Sequence, residues 1–505
     1  MKMKNTIKNI FLGGAIAAML MSCDMNLIPT TAIVFEEDEP VFKSENDIMQ
    51  FYNGVMASYR SVQYGVFTQS SEVMCDGFNA TIGFGNNYGS IHRTDASFTT
   101  SDSYPESMWA SHYSAISNYN IAIEQADLVE DEALVPYAEL LKGTALFCRA
   151  SSYLTLARHF GPAYDYDTAE EELCVPLVLV YDQYEKPARN TVQEVYDQIG
   201  WDLDDAMDLL KGKVYEGEVR SLTPTLDAVK AMMARYYLDV QEYDDAAKMA
   251  VAVINSEAGY KLASSANEMN AEYLRDSGSE PIIQLFASLS EGAKGNTIFT
   301  QVGKDREGKY FQPYYIPSQK LIDAYSTGDL RFTTWFSNSM YPIFTNGARH
   351  EGIYTFIKYY DNPNLRTGSV ETGAHAAKPI MISEMYLIAA EAYAMDEKAF
   401  QAKKYLNELQ TARKATLTDG SMKNIKNEWF KETVGEGMRL TCLKRWGDGF
   451  DGRAAQKKAA DIVMTGEYYD ERVMEADEHV LLWPVPSYEL KLNSNLEQND
   501  GYSAE

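Results

Sequence analysis

Two segments of this chain place aromatic side chains among small polar residues, a combination suited to ligand binding. They are residues 76–93 and residues 305–315. Aromatic rings stack on the C–H faces of sugars, while amides, carboxylates and guanidinium groups bond to the hydroxyl edges. We therefore predict a ligand site that combines both segments. Its candidate residues are Asp76, Phe84, Asn86, Asn87, Tyr88, Arg93, Tyr310, Phe311 and Tyr314.

The alternative role for these aromatic residues is packing. Tyr314 and Tyr315 can pack beneath the first segment, and Trp109 is expected in the core of a helix. A large share of the 35 tyrosines is expected to serve helix packing in the same way. Residue type alone therefore leaves both roles open for each candidate.

The chain shows none of the short motifs that mark catalytic or metal centres. Its six histidines form neither an HExxH motif nor a close pair of metal ligands. It has no GxSxG motif and no P-loop, and the glycines of residues 83–89 have the wrong spacing for a dinucleotide site. Carboxylate pairs are common among 73 acidic residues, and sequence spacing does not show which of them face each other across a cleft. We expect no cofactor and no metal at the ligand site.

The charge balance excludes nucleic acid as a partner. The chain has 505 residues, with 45 Lys and Arg against 73 Asp and Glu, a net charge of −28. Its densest basic patch, Arg439, Lys444 and Arg445, lies among acidic neighbours, so no basic stripe faces phosphate. The same charge disfavours polyanionic glycans and favours neutral glycans or peptides.

The first 22 residues read as a lipoprotein signal peptide. A lysine-rich start is followed by the apolar stretch Ile10–Leu20, which is too short to span a bilayer comfortably, and then by Ser22 and Cys23. Cleavage before Cys23 would leave this cysteine as the lipidated first residue of the mature chain. Residues 23–43 would then form a tether to the body, and the mature chain would have a net charge of −31. A secretory signal cut at another bond is the alternative.

The four remaining cysteines, Cys75, Cys148, Cys174 and Cys442, show neither CxxC nor metal-ligand spacing. An exported protein of this size does not need disulfide bridges for stability. We predict that they are small core or surface residues. A single disulfide bridge between two of them is the alternative.

The elements that position the two segments are mainly helices. Apolar residues recur at helical spacing after a Ser44 N-cap, around 109–123, and over 136–159 and 192–210. Two α-hairpins follow, at 228–254 and 381–409, with alanines at contact positions as in tetratricopeptide repeats. We predict a mainly α fold whose main domain is 44–505: helical hairpins over about 44–260 and 380–450, and a loop-rich, irregular ligand-binding part at about 280–380.

Motifs spread over most of the chain resemble the SusD/RagB family of Bacteroidetes outer-membrane lipoproteins. In the first two thirds these are Gly143, Ala145, Arg149, Ala150, Tyr153, Phe160 and Gly161, the segment 189–203, and Pro317, Ser318, Leu321, Asp323, Asp329 and Arg331. In the last third they are "ISEMYLIAAEAYA" at 382–394, "GEGMRLTCLKRWG" at 435–447 and "WPVPSYELKLNSNLEQNDGY" at 483–502. Cys442 departs from the family's usual Asp. These motif residues are expected to be buried scaffold.

The resemblance implies a function. Such proteins lie on the outer face of the outer membrane, over a SusC-like TonB-dependent transporter. They bind a glycan, or sometimes a peptide, deliver it to the barrel, and catalyse nothing. Two rival classes remain open: a lipid-anchored glycoside hydrolase, and a helical-repeat adaptor of the transporter that binds no ligand.

Overall fold

The computed structural model describes residues 41–182, 184–291, 295, 298–299, 302–304, 309–344 and 348–503, with the backbone alone described at 302–304 and 309–310. The predicted signal peptide, Cys23 and the tether up to residue 40 lie outside these ranges. None of the helices in the described chain is long and apolar enough to cross a membrane.

The chain is mainly helical, as predicted. Its longer helices are α1 Glu45–Ser61, α2 Val66–Met74, α4 Ser103–Asp127, α5 Val135–Phe160, α6 Val192–Leu210, α7 Leu226–Asp239, α8 Tyr243–Ile254, α9 Ala266–Arg275, α12 Ile382–Met395, α13 Ala399–Ala412, α14 Met422–Glu432 and α15 Arg439–Trp446. The short ones are α3 Gly89–Arg93, α10 Gln319–Asp323, α11 Leu330–Trp335 and α16 Ser487–Leu492.

Local sequence signals set several helix ends. The Ser44 hydroxyl accepts a hydrogen bond from the backbone amide of Asp47, as expected for an N-cap. At the start of α6, Thr191 and Glu194 form a reciprocal capping box. Helix α5 ends at Gly161, where a Cβ atom would lie 2.6 Å from the Cys174 sulfur. Because glycine has no Cβ atom, the chain at position 161 can pass close to Cys174.

The helices stack in sequence into a tetratricopeptide-like scaffold. Helix α4 packs on α5, α5 on α6, α6 on α7 and α7 on α8, while α1 covers α4 and α5. The scaffold then continues from α8 to α12, whose partner is α13. Residues 255–380 are thus an insertion between two hairpins that are neighbours in space.

Short two-stranded sheets stiffen the irregular parts. The strands are β1 Phe78–Ala80, β2 Pro281–Ile283, β3 Val302–Lys304, β4 Lys309–Phe311, β5 Tyr315–Pro317, β6 Phe336–Ser337, β7 Thr355–Phe356, β8 Ile380–Met381, β9 Phe450–Asp451 and β10 Val473–Met474. All pair antiparallel, as β1–β5, β2–β8, β3–β4, β6–β7 and β9–β10. A small apolar cluster separate from the main core lies under this part, formed by Ile316, Phe344, Ile353, Ala459, Ile462 and Val463.

Several motif residues join helices of the scaffold. Glu391 of α12 accepts hydrogen bonds from the Arg445 guanidinium and, at 2.7 Å, from the Trp446 indole. Glu384 likewise accepts from Arg235 of α7. The four cysteines named above are buried and free, and burial raises the pKa of Cys442 to about 11, so this thiol is neutral at physiological pH. The Arg235–Glu384 contact joins the two hairpins, and the Glu391 contacts join α12 to α15.

Candidate functional site

Residues 82–95, which follow β1 and include α3, form an irregular surface loop that we call the 82–95 loop. Its backbone adopts left-handed conformations at Gly85, Asn86 and Tyr88, with φ of 58°, 60° and 54°. Residues other than glycine reach this region only at an energetic cost, and such strain collects at functional sites.

Hydrogen bonds hold the 82–95 loop in its shape. The backbone amide of Tyr88 donates to the Tyr104 hydroxyl at 2.6 Å. The Tyr315 hydroxyl donates to the Asn87 carbonyl, also at 2.6 Å. Because side chains of α4 and β5 fix the backbone in this way, the loop is preorganised.

The ring of Tyr88 is stacked rather than loose. Its centroid lies 4.5 Å from that of Tyr104 at an interplanar angle of 14°. Burial, with a smaller contribution from Tyr104, raises the pKa of Tyr88, so its hydroxyl stays protonated at physiological pH. Tyr88 is half-buried. The stack therefore supplies a rigid aromatic element beside the exposed amide of Asn86.

Arg93 orients that amide. Its Nε donates to Asp95 at 2.7 Å, and its Nη1 donates to Asn86 Oδ1 at 2.9 Å. A guanidinium only donates, so the side-chain oxygen of Asn86 faces Arg93 and its NH2 group stays free of bonds to other described residues. Gly89 makes room for this fold, since a Cβ there would lie 2.0 Å from Asn86 Oδ1.

The end of the second predicted segment lies beside the first, while residues 305–308 of that segment fall outside the described residues. Strand β1 pairs with β5, with Ala80 opposite Tyr315. The pairing continues beyond the strands, where the amide of Thr81 donates to the Tyr314 carbonyl and its hydroxyl donates to the Pro313 carbonyl, both at 2.8 Å. The sheet thus brings residues 311–315 next to the 82–95 loop.

The structure does not place every predicted residue at this surface. Asn86 is exposed, and Asn87, Tyr88, Arg93 and Tyr314 are half-buried. Phe84 and Phe311 are buried and pack under the loops. Tyr310 lies in β4, and its side chain falls outside the description.

Asp76 needs a correction. It is fully buried, and its carboxylate binds Arg439 Nε at 2.8 Å and Lys320 Nζ at 2.6 Å. Burial alone would raise the pKa of Asp76, but the charges of Arg439 and Lys320 hold it well below its usual range. The Asp76 carboxylate therefore links α15 to α10 and offers nothing to a ligand.

A third segment, which the sequence reasoning missed, completes the surface. The amide of Ile82 donates to the Ile462 carbonyl at 2.8 Å. Tyr469 lies with its ring edge towards Phe84 at 6.3 Å, and its hydroxyl accepts from Arg93 at 3.4 Å. The neighbouring Tyr468 is 41% exposed. A tyrosine pair between Gly466 and Asp470 is the same aromatic-in-polar signal that marked the first segment.

A fourth contribution comes from residues 341–344 and 348–350. Ile343 and Arg349 form an antiparallel bridge, and the guanidinium of Arg349 lies 3.6 Å from the centre of the Tyr341 ring. Phe344 reaches the 82–95 loop, since a Cβ on Gly83 would lie 2.8 Å from its ring. The Tyr341 ring and the Arg349 guanidinium stacked on it form a second flat surface with polar groups at its edge.

The arrangement suits recognition of a neutral, hydroxyl-rich molecule. It presents rings, amide groups and two arginines, each with a local carboxylate: Arg93 with Asp95 and Arg349 with Glu351. Among the described residues, no group of three or more His, Cys, Asp or Glu side chains is arranged to hold a metal ion. The fold and this surface together define a helical-repeat scaffold that presents a preorganised aromatic and amide surface.

Comparison with known proteins identifies the family. Residues 30–238 match a family described as "Starch-binding associating with outer membrane", and residues 230–502 match the SusD family. The second match alone covers more than half of the chain, so the chain belongs to the SusD family.

Relatives match over nearly the whole length. SusD-like protein P2 of Formosa agariphila is 25% identical over 497 residues, which covers 92% of this chain and 94% of that protein. A SusD superfamily protein of Bacteroides thetaiotaomicron is 22% identical with a TM-score of 0.74, over 90% of this chain and 99% of that one. Surface glycan-binding protein A of Bacteroides fluxus is 19% identical with a TM-score of 0.68, over 91% of this chain and all of that one.

Proposed function

We propose that this protein is a cell-surface lipoprotein that binds glycan oligomers and delivers them to a SusC-like TonB-dependent outer-membrane transporter. The observation that carries the binding function is the preorganised 82–95 loop, where the Tyr88–Tyr104 stack lies beside the oriented amide of Asn86. A surface glycan-binding protein shares the fold, which supports the same class of ligand. The acidic body favours neutral glycans, with peptides as the second ligand class.

A glycan array with the Cys23→Ser protein, which lacks the lipidated residue, tests the binding function. Titration of the best ligand by calorimetry then compares Tyr88→Ala and Tyr310→Ala with Trp201→Ala, a change of an exposed aromatic residue on α6. We expect weaker affinity in the first two proteins and unchanged affinity in the third. Undiminished affinity in both loop variants would reject this site.

The same ligand tests the rival enzyme function. We expect the oligomer to remain uncleaved after prolonged incubation with the protein, because the site is proposed to bind and release its ligand without turnover. Hydrolysis that disappears on changing one carboxylate would instead establish a glycoside hydrolase. Absence of any glycan or peptide ligand, together with tight transporter binding, would establish the adaptor.

Cys23 is proposed to anchor the protein. A lipoprotein cysteine carries more than one acyl chain, which gives stable attachment where one chain would not. We expect Cys23→Ser to yield a released protein that still folds and binds ligand. Protease treatment of intact cells then tests the orientation: a native protein that is cut only after lysis would contradict placement over a transporter at the cell surface.

A further inference from the structure

A second polar space lies inside the molecule, at the junction between the helical scaffold and the insertion. It is a cavity of about 160 Å³. No residue of the 82–95 loop lines it. Its wall is built from α1, the turn before α2 and the first half of α2, from α5, α7, α9 and α12, from residues 358–359 and 375–379, and from residues 432–441.

Three buried polar side chains face this cavity without a partner. Gln69, Ser383 and Thr441 all line it, and they are 4%, 4% and 7% exposed. Within the described part of the chain, none of their side-chain polar atoms makes a hydrogen bond. Their polar atoms are reached from the cavity and have no protein partner there, so a ligand or ordered water in the cavity would supply the missing hydrogen bonds.

His375 adds an acceptor to the same wall. Its Nδ1 lies 3.0 Å from the Gly373 carbonyl, which only accepts, so Nδ1 carries the proton. Burial lowers the pKa of His375 to about 4, and the ring is therefore neutral at physiological pH. Its Nε2 keeps a lone pair, and the ring is held by stacking on Tyr359 at 4.0 Å.

The charged groups of the wall are already paired. Glu384 accepts hydrogen bonds from the Arg235 guanidinium, and Lys358 Nζ lies 2.7 Å from Glu436. Lys378 Nζ lies 2.5 Å from Asp276. A charged ligand would have to separate one of these buried pairs, which is costly in a low-dielectric interior. The remaining hydrogen-bonding capacity is neutral, which favours a neutral ligand.

The size of the cavity sets the scale of that ligand. A protein cavity of about 150 Å³ holds benzene, a six-membered ring, so this one admits a ring of similar size. The benzene-binding cavity is lined by hydrocarbon side chains, whereas this cavity is lined in part by hydroxyl, amide and imidazole groups. Gln63 in the turn before α2 and Thr68 in α2 are half-buried and add a side-chain amide and a hydroxyl group to the lining.

We propose that this cavity is a second binding site, distinct from the 82–95 loop, and that it holds one neutral monosaccharide. Gln69, Ser383 and Thr441 bond to its hydroxyl groups, and His375 Nε2 accepts from one of them. The site does not depend on the function proposed for the 82–95 loop, and each can fail without the other.

Binding of neutral monosaccharides to the Cys23→Ser protein tests this assignment. The probes are D-glucose, D-galactose, D-mannose and D-xylose, measured by saturation-transfer NMR and by calorimetry. We expect millimolar affinity for at least one of them. Failure of all four to bind would overturn the proposal and leave the cavity to water.

Single substitutions then locate the bound sugar. Thr441→Val and Ser383→Ala each remove one hydroxyl with little change in shape, and each should weaken binding about fivefold. Thr144→Val is the matched control, because Thr144 is fully buried in α5 but does not line the cavity. Tyr88→Ala should also leave monosaccharide binding unchanged.

Two results would reject the cavity as the site. One is unchanged affinity in both Thr441→Val and Ser383→Ala; the other is loss of monosaccharide binding in Tyr88→Ala, which would move the sugar to the 82–95 loop. If Thr441→Val fails to fold, Ser383→Ala and Gln69→Leu decide the question. The melting temperature of each variant, measured without sugar, identifies any that is merely unfolded.

Discussion

The interior and the surface of this protein use charged residues in opposite ways. The interior holds a set of ionised side chains, here called the buried charge network, which joins α13 and α14 to α11 and Glu280 of the insertion. Its members are Asp329, Arg331, Arg413, Glu428, Glu432 and Glu280. Each of these side chains is at most 2% exposed. The 82–95 loop, in contrast, presents mainly rings and amides, with Arg93 paired locally to Asp95.

This difference separates structural residues from binding residues. A buried charge must have partners, so the network specifies how distant elements meet. Arg331 bonds within its own helix start, to Asp329 at 2.7 Å, and across to Glu428 of α14 at 2.6 Å. At the surface, water solvates charge, and recognition depends on where rings and amides are held. The buried charge network therefore specifies how the fold is assembled, and the neutral rings and amides of the 82–95 loop form the proposed ligand surface.

Removing one member of the network should have the largest effect on stability. Arg331→Met leaves Asp329, Glu428 and Glu432 short of a buried partner, and we expect a loss of about 3–5 kcal/mol in the free energy of unfolding. Urea titration measures it. Lys248→Met, which breaks an exposed pair with Asp245, is the control and should change stability by less than about 1 kcal/mol. Equal effects would contradict the contrast drawn here.

Glu72 is a buried carboxyl group that, unlike those of the buried charge network, forms no ion pair with any described residue. It lies in α2 and accepts a hydrogen bond from the Gly437 amide at 3.0 Å. Burial raises the pKa of Glu72 to about 7, above the ordinary value of 4.5 for a glutamate side chain. The native state therefore keeps a proton between these values that the unfolded chain releases, and the contribution of Glu72 to stability is lost as pH rises through about 7.

The Glu72→Gln variant should not show this loss. We expect its stability relative to the unmodified protein to rise by about 3 kcal/mol between pH 4.5 and pH 8, since each pKa unit corresponds to about 1.4 kcal/mol. Urea titrations of both proteins across this range measure the difference. A constant difference would mean that Glu72 ionises normally in the folded protein.

A substitution in the 82–95 loop should affect stability less and binding more. A Cβ on Gly83 would lie 2.5 Å from Gln312 Nε2 and 2.8 Å from the Phe344 ring. We expect Gly83→Ala to cost about 1–3 kcal/mol by overpacking and to weaken glycan binding. Gly54→Ala is the control: a Cβ there meets no atom within 4 Å, and the change within α1 should stabilise by about 0.5–1 kcal/mol.

The smallest effect is expected where only the orientation of one amide changes. Arg93→Lys keeps the charge but removes the planar group that bonds both Asp95 and Asn86. We expect glycan affinity to fall about fivefold, or about 1 kcal/mol, with little change in the unfolding midpoint. Calorimetry measures this. Arg60→Lys, at a surface pair with Glu291, should leave affinity unchanged. A similar fall there would mean that the loss in Arg93→Lys does not come from the bond to the Asn86 amide.

Much of the fold could be predicted from the sequence because its signals are local. Apolar spacing and end residues predicted α5, α6 and both hairpins, including the end of α5 at Gly161. Residues 281–287 and 354–360 are rich in apolar and aromatic residues typical of strands, but only Pro281–Ile283 and Thr355–Phe356 within them are strands. The isolated signal for a short strand is weak, since its partner lies far along the chain.

The candidate surface was predictable only in part. Aromatic residues among small polar ones drew attention to Asn86 and Tyr88, and the same pattern at Tyr468 and Tyr469 was overlooked. Asp76 was misjudged because composition does not show burial: its neighbours suggested a loop, but Arg439, more than 350 positions later, takes both carboxylate oxygens.

The sequence by itself determined the helical scaffold, the family and the segments rich in binding residues. These depend on periodicity, end signals and motif spacing, all of which act between residues close in the chain. The tertiary structure decided which charges are buried together, that the hairpins α7–α8 and α12–α13 are neighbours, and which candidate residues reach the surface. Pairing of β1 with β5 and the wall of the internal cavity join residues hundreds of positions apart. Such contacts form only when the whole chain packs, so no local pattern encodes them.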